Sequence, residues 1–302
     1  MLSSNSTNAP IEILLVSDKN YAPFLATTIA SILKNAAPDD VLSVRVVDAG
    51  LSLKDREIVE NLKSIRSFRL TFYKPDLSEY LKLFPNDIGN FPVVCNYRLF
   101  LGEYLPREVD KILYMDVDAI AIQSLRELWE TPLDDQFLAA AKDSFVSREH
   151  IEALDLSKDY VYFNSGVLLV NVKKWRDDGL LEKILRTAVK IRDKIAFQDQ
   201  DVLNVLANEI GYREIDGKWN CRPDFYEEDK TCVLHYMGVR NRLPRLDLLA
   251  EYVALTPYGK LPFQTKWYQT KLKINKIVCQ LCCLFLPKRE WRRKCRKRFK
   301  LR

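Results

Sequence analysis

Ile11-Glu12-Ile13-Leu14-Leu15-Val16 runs directly into Ser17-Asp18-Lys19-Asn20-Tyr21. Branched apolar residues dominate the first six positions, and a polar cluster then ends the run, which reads as a buried strand opening into a loop. Apolar positions next recur at helical spacing over residues 23–35, through Phe24, Ile29, Ile32 and Leu33. Val41–Val47 reads as a second strand, Lys54–Ile65 as a second helix and Leu70–Tyr73 as a third strand. That alternation predicts an α/β fold with a parallel sheet sandwiched by helices. Such sheets bind ligands at the carboxyl ends of their strands, so the residues just after Val16 are candidates before any motif is considered.

The same strand-then-acid punctuation returns downstream. Lys111–Met115 leads into Asp116-Val117-Asp118 and then Ala119–Ile122, and Phe137–Ala141 leads into Lys142-Asp143. Residues Tyr162–Val172 contain Asn164-Ser165-Gly166 before the apolar run Val167–Val170, and helical patterns follow at Leu180–Arg192 and Gln200–Asn208. With 302 residues and 47% apolar content, the chain can bury a full core as one large domain with an appendage. No run of about 20 apolar residues is present to cross a bilayer.

Charge is divided unevenly. The total is +6, but residues 271–302 hold thirteen Lys/Arg against Glu290 alone, or +12, which leaves −6 on the first 270. An acidic body with a cationic tail is suited to bringing that body to something anionic. The tail combines Ile274, Ile277, Val278, Leu281, Leu284, Phe285 and Leu286 with a basic run, Lys288–Arg302, that includes Trp291 and Phe299. A basic tail can simply be solvated, but this apolar segment and interleaved aromatics fit the headgroup layer of a membrane. Nucleic acid also attracts basic residues with aromatics, yet that reading leaves the acidic body and the Asp pair unexplained. The start MLSSNSTNAP has no basic-then-apolar leader pattern, and seven Cys show no framework spacing; both fit a reduced, cytoplasmic address. Cys279 and Cys282 have apolar neighbours and no nearby His, so they read as small hydrophobes rather than zinc ligands.

Four segments carry chemistry. In Asp116-Val117-Asp118, residues two apart on an extended backbone face one side, so both carboxylates can reach one hard cation; alone, the pair is an ordinary solvated turn. His235, in Val233-Leu234-His235-Tyr236-Met237-Gly238, would complete a donor set suited to Mn2+ or a similar ion, although a lone His is more often structural. His150 lies in a polar stretch and is left in that structural role. Phe197-Gln198-Asp199-Gln200-Asp201-Val202-Leu203-Asn204 places acids and amides at a helix mouth, where capping explains some but not all of them. Asn164-Ser165-Gly166 reads by itself as a turn before a strand, and in company as a close backbone approach beside an amide that can pair with a sugar hydroxyl.

Together these segments, in this order from about Ile11 to Gly238, resemble glycosyltransferase family 8, the retaining transferases that include bacterial lipopolysaccharide galactosyl- and glucosyltransferases and, more distantly, glycogenin. Ser17-Asp18-Lys19-Asn20-Tyr21 is similar to the family's uridine-binding loop, and Tyr97-Arg98-Leu99 to its Tyr-Arg-Leu helix. Asp116-Val117-Asp118, Asn164-Ser165-Gly166, Asp199-Gln200-Asp201 and His235-Tyr236-Met237-Gly238 resemble its Asp-x-Asp, Asn-Ala/Ser-Gly, Asp-Gln-Asp and His-Tyr-x-Gly motifs. The usual Lys-Pro-Trp after the last is replaced by Val239-Arg240-Asn241-Arg242-Leu243-Pro244, where Arg240 or Arg242 could take over the phosphate contact.

The resemblance implies a nucleotide-sugar-binding, Rossmann-like fold of GT-A type with a mostly parallel central sheet. It implies Mn2+, or Mg2+ in its place, on Asp116, Asp118 and His235. Asp18, Asn20 and Tyr21 would meet uridine, and Gly238 with Arg240 the phosphates. Arg98, Asp143, Asn164 and Asp199 would hold the sugar, and Gln200 would lie beside its anomeric carbon. The expected reaction is transfer of galactose or glucose from a UDP-sugar donor to a glycolipid or oligosaccharide acceptor at the inner face of the cell membrane, with the loops around Asp76–Pro92 and the C-terminal region shaping the acceptor side. A catalytically silent peripheral membrane scaffold of the same fold is the rival reading. The expected division is a disordered 1–9, a catalytic domain over 10–240, and a small helical membrane-docking region over 241–302.

Overall fold

A strand of branched residues that is apolar on both faces requires cover on both sides, and the computed structural model supplies it. The structure describes residues 9–85, 92–237, 246–259 and 261. Strands β1 (Ile11–Ser17), β2 (Leu42–Asp48) and β3 (Arg69–Tyr73) alternate with helices α1 (Ala22–Asn35) and α2 (Leu53–Asn61). Then follow β4 (Lys111–Met115), β5 (Ala119–Ala121), β6 (Leu138–Lys142) and β7 (Phe163–Asn171). Helices α3 (Leu180–Lys190) and α4 (Asp199–Ile210), strands β8 (Arg213–Ile215) and β9 (Val233–His235), and helix α5 (Leu246–Val253) follow, with shorter helical turns between them.

Seven strands form one sheet in the order β3-β2-β1-β4-β7-β6-β8. Side chains alternate between its two faces. Ile13, Leu15, Leu113, Met115 and Leu169 pack with α1 and α2 on one side, while Leu14, Ile112, Tyr114, Leu168 and Val170 pack with α3 and α4 on the other. The sheet is mostly parallel, as expected, but β7 runs antiparallel to both β4 and β6. This reversal positions the site. It brings the first residues of β7, Asn164-Ser165-Gly166, to the carboxyl end of β4, where Asp116 N donates to Gly166 O at 2.7 Å.

A separate ribbon pairs β5 with β9, opposing Ala119 to His235. Two local expectations change. The second helix stops as an α-helix at Asn61 and tightens into a 3-10 turn, Leu62–Ser64. The Tyr97-Arg98-Leu99 segment lies in an eight-residue 3-10 helix, Val93–Phe100, longer than such helices usually run. The described part of the 241–302 region packs on the body: Leu249, Tyr252 and Val253 join the α1 face of the core, and Asn35 Nδ2 donates to the Tyr252 hydroxyl at 2.9 Å. The 1–9 segment apart from Ala9, the tail 271–302, and Gly238, Arg240 and Arg242 lie outside the described residues.

Candidate active site

Asp116 directly follows β4, Asp118 directly precedes β5, and His235 closes β9 opposite Ala119. The ribbon register thus carries an imidazole to a carboxylate pair more than a hundred residues away, and Tyr236 N donates to Asp118 O at 2.8 Å to lock the junction. One ligand atom from each of Asp116, Asp118 and His235 lies within 4.8 Å of the others. His235 Nε2 is 3.2 Å from Asp118 Oδ1 and 3.6 Å from Asp116 Oδ2. Burial by itself would lower the His235 pKa, but Asp118 and then Asp116 prevail and raise it.

The cluster suits a hard or borderline divalent ion, with two carboxylates and an imidazole facing one point. The backbone leaves room for that arrangement only because residue 166 lacks a side chain. A Cβ there would stand 2.1 Å from His235 Cε1 and 2.9 Å from Asp116 Oδ2. The glycine of Asn164-Ser165-Gly166 therefore serves close approach to His235 and Asp116, two of the three candidate metal ligands.

Arg98 reaches the cluster from the 3-10 helix, buried. It donates to Asp116 Oδ1 at 2.7 Å and to Ser165 O at 2.6 Å, and its Nε lies 3.1 Å from Asp199 Oδ2. Tyr114, two residues before Asp116 and so on the same strand face, donates its hydroxyl to Asp116 Oδ1 at 2.7 Å. Its ring lies 4.3 Å under the guanidinium. Asp199 sits at the start of α4, and its buried Oδ2 is held by the ion pair with Arg98 rather than by a well-aligned hydrogen bond. Burial pushes its carboxyl up to about 7, with Arg98 opposing and Asp116 adding to the shift.

Gln200 is held at both ends of its amide: Oε1 accepts from Ser165 N at 3.1 Å, and Nε2 donates to Asp143 Oδ2 at 3.2 Å. The same carboxylate oxygen accepts from Asn164 Nδ2 at 3.0 Å. Asp143, Asn164, Asp199 and Gln200 therefore lie together beside the Asp116–Asp118–His235 cluster. Asp18, Asn20 and Tyr21 form their own turn at the end of β1, with Asp18 Oδ1 accepting from the backbone N–H groups of Asn20 and Tyr21. Because β1 pairs in parallel with β4, that turn shares the carboxyl edge with Asp116.

Two contributors, Tyr114 and Asn220, escape the sequence. Tyr114 looks like one more core residue, though its place two before Asp116 is a usable signal. Asn220, between Trp219 and Cys221, carries no motif, yet its Oδ1 lies 2.8 Å from His235 Nδ1. His150, left as structural, is bonded through Nε2 to Asp201 Oδ1 at 2.7 Å. Asp201 also accepts from Ala196 N, Phe197 N and the Tyr162 hydroxyl. Asp201 thus braces the loop that presents Asp199 and Gln200 and does not face the cluster.

An open cavity of about 780 Å³ adjoins Asp143 and Asn164. Phe145 and Phe225 line it while 50% and 58% exposed, with ring centroids 5.7 Å apart. Arg222 covers Phe145 at 3.8 Å.

A helix-covered, mostly parallel sheet with acids and amides gathered along its carboxyl edge is the GT-A arrangement of glycosyltransferases, and solved structures of that class share it. Glycosyl transferase family 8 matches over residues 12–240, and the chain belongs to that family. A Haemophilus influenzae protein bearing a glycosyltransferase name is 32% identical over 196 residues, 64% of this chain and 58% of that relative's length. Lipopolysaccharide 1,2-glucosyltransferase of Escherichia coli is 27% identical over 291 residues, 87% of this chain and 84% of the relative. The crystal structure of the galactosyltransferase LgtC in complex with donor and acceptor sugar analogues has a TM-score of 0.70 at 30% identity, covering 86% of this chain and 99% of that one.

Proposed function

We propose that the chain transfers galactose or glucose from a UDP-sugar to a lipopolysaccharide, lipooligosaccharide or related glycolipid acceptor, with retention at the anomeric carbon and with Mn2+ or Mg2+. The observation that carries this is the convergence of Asp116, Asp118 and His235 beside a buried, hydrogen-bonded set of sugar-type contacts. The similarity to a lipopolysaccharide glucosyltransferase and to a galactosyltransferase solved in complex with donor and acceptor sugar analogues supports the substrate class.

Asp116, Asp118 and His235 hold the ion, which when bound neutralises charge on the departing diphosphate. Asp18, Asn20 and Tyr21 take the uridine, and Gly238 with Arg240 or Arg242 the phosphates. Arg98, Asp143, Asn164 and Asp199 fix the sugar. Gln200, with both ends of its amide engaged, is a poor nucleophile, which favours same-face attack over a covalent intermediate. In that route the leaving phosphate accepts the proton of the incoming hydroxyl. The exposed Phe145 and Phe225 offer apolar faces to an acceptor sugar, on a different segment from the Asp76–Pro92 loops expected to shape it. No helix among the described residues is long and apolar enough to cross a membrane; attachment to the inner face of the cell membrane is assigned to residues 271–302.

Release of UDP from UDP-galactose and UDP-glucose with Mn2+, with and without delipidated lipooligosaccharide, tests the reading. Acceptor-stimulated release with one donor is the expected result. Asp118→Asn should lower turnover about 100-fold or more while leaving the unfolding midpoint nearly unchanged; Asp116→Asn should do the same to turnover and also lower the midpoint, because Asp116 is the partner of the buried Arg98. Folded protein that neither binds nor turns over any UDP-sugar would establish the silent scaffold instead.

A further inference from the structure

The two ring nitrogens of His235 face different partners. Nε2 looks toward Asp118 and Asp116, whereas Nδ1 lies 2.8 Å from Asn220 Oδ1. A ring offers a lone pair to a cation from one nitrogen only if the other carries the hydrogen. The neighbours of Asn220 decide which nitrogen that is.

Gly166 N–H can only donate, and it points at one side-chain atom of Asn164 at 2.9 Å, so that atom is the amide oxygen. The other arm of Asn164 lies 3.0 Å from Asp143 Oδ2, a carboxylate that takes an N–H. Asn164 is thereby oriented from both ends. Its Oδ1 also faces an Asn220 side-chain atom at 2.8 Å, which must be the NH2 group, and this turns the Asn220 oxygen toward His235. An amide oxygen only accepts, so Nδ1 carries the hydrogen.

Asn164, Asn220 and His235 are each at most 8% exposed, so water has little access to relax this order. The backbone fixes the spacing as well: Cys221 N donates to Val233 O at 3.0 Å, and His235 N to Cys221 O at 2.8 Å. The strip around Asn220 is thus laced to β9.

We propose that Asn220 is a positioning residue for the metal histidine. The relay from Asp143 through Asn164 and Asn220 to His235 presets a ring with hydrogen on Nδ1 and the Nε2 lone pair directed between Asp116 and Asp118. This rests on the metal-dependent reading above and extends it, because one sugar-site carboxylate orients both Gln200 and, through two amides, the metal ligand.

Two measurements test it. In 15N-labelled protein with Cd2+ as a diamagnetic probe, imidazole spectra should show hydrogen on Nδ1 and cadmium on Nε2 of His235; the chain has two histidines, and His150→Gln assigns the signals. Free Mn2+ measured by electron paramagnetic resonance should show affinity falling about 10–100-fold in Asn220→Ala. Asn220→Asp should recover part of it, since a carboxylate also accepts from Nδ1 although it no longer donates to Asn164 Oδ1. Hydrogen on Nε2 in the cadmium-bound wild type overturns the proposal. So does a folded alanine variant that binds Mn2+ like wild type, or a folded aspartate variant that recovers nothing. If the alanine variant does not fold, the wild-type spectrum decides. Wild-type protein that binds neither ion removes the metal reading itself, and this one with it.

Discussion

Gly166 and Asp199 show how much of the site's physics is concentrated in single positions. Gly166→Ala would insert a methyl group 2.1 Å from the His235 ring, so either the imidazole or the strand start must move. The expected loss is about 1–3 kcal/mol of stability, read from urea unfolding, together with weaker Mn2+ binding. Asp199 acts through protons. Its carboxyl is held at about 7 in the folded chain against an ordinary 3.8, so the native state keeps a proton that the unfolded chain releases. Ionisation therefore costs stability as pH rises from 3.8 to about 7. In chelator-treated protein, Asp199→Asn should gain stability relative to wild type across that window and level off above it. A difference that does not change with pH would show that burial is not what sets this group. The Asp199 carboxyl is recognisable in sequence as a polar residue at a helix mouth, whereas its displaced pKa comes from burial that no local pattern reports.

At the scale of elements, helix α1 does more than cover the sheet. Thr28 Oγ1 lies 2.7 Å from the carbonyls of both Val117 and Ala119, and Ser31 Oγ accepts from Ala121 N at 3.0 Å. The helix thereby clamps the backbone that carries Asp116 and Asp118. Thr28→Val keeps the shape but leaves those buried carbonyls without their donor, which should cost about 1–3 kcal/mol. Thr28→Ser should restore most of that in the same urea titration, and Mn2+ affinity should follow the same order. The periodicity of residues 23–35 identified this helix, but a small hydroxyl within an apolar stretch gave no sign of what it holds. The 3-10 segment is a similar case. Its residues were recognisable by resemblance, yet the tight winding that brings Arg98 between Asp116 and Asp199 is a product of packing.

For the whole molecule, the charge division predicts behaviour at a surface. With ten Lys/Arg between positions 288 and 302, each adding about 1 kcal/mol near an anionic leaflet before screening, the chain should float with anionic liposomes at low salt and release as salt rises. A chain ending at residue 270 should lose flotation and keep its thermal stabilisation by UDP-sugar. Equal flotation of both forms would reject the assignment. Retention on DNA but not on liposomes at matched salt would point to nucleic acid instead.

By itself the sequence determined the alternation of strands and helices, the acids and amides at strand ends, and the family motifs, because each is written in residues that are neighbours along the chain. Only the tertiary structure decided that β7 runs backward beside β4, that Ala119 opposes His235, and that Asn220 completes a relay to Asp143. Those outcomes depend on which surfaces meet across the sheet. Side-chain periodicity shows which face is apolar, but it does not specify the partner or the direction in which that partner runs.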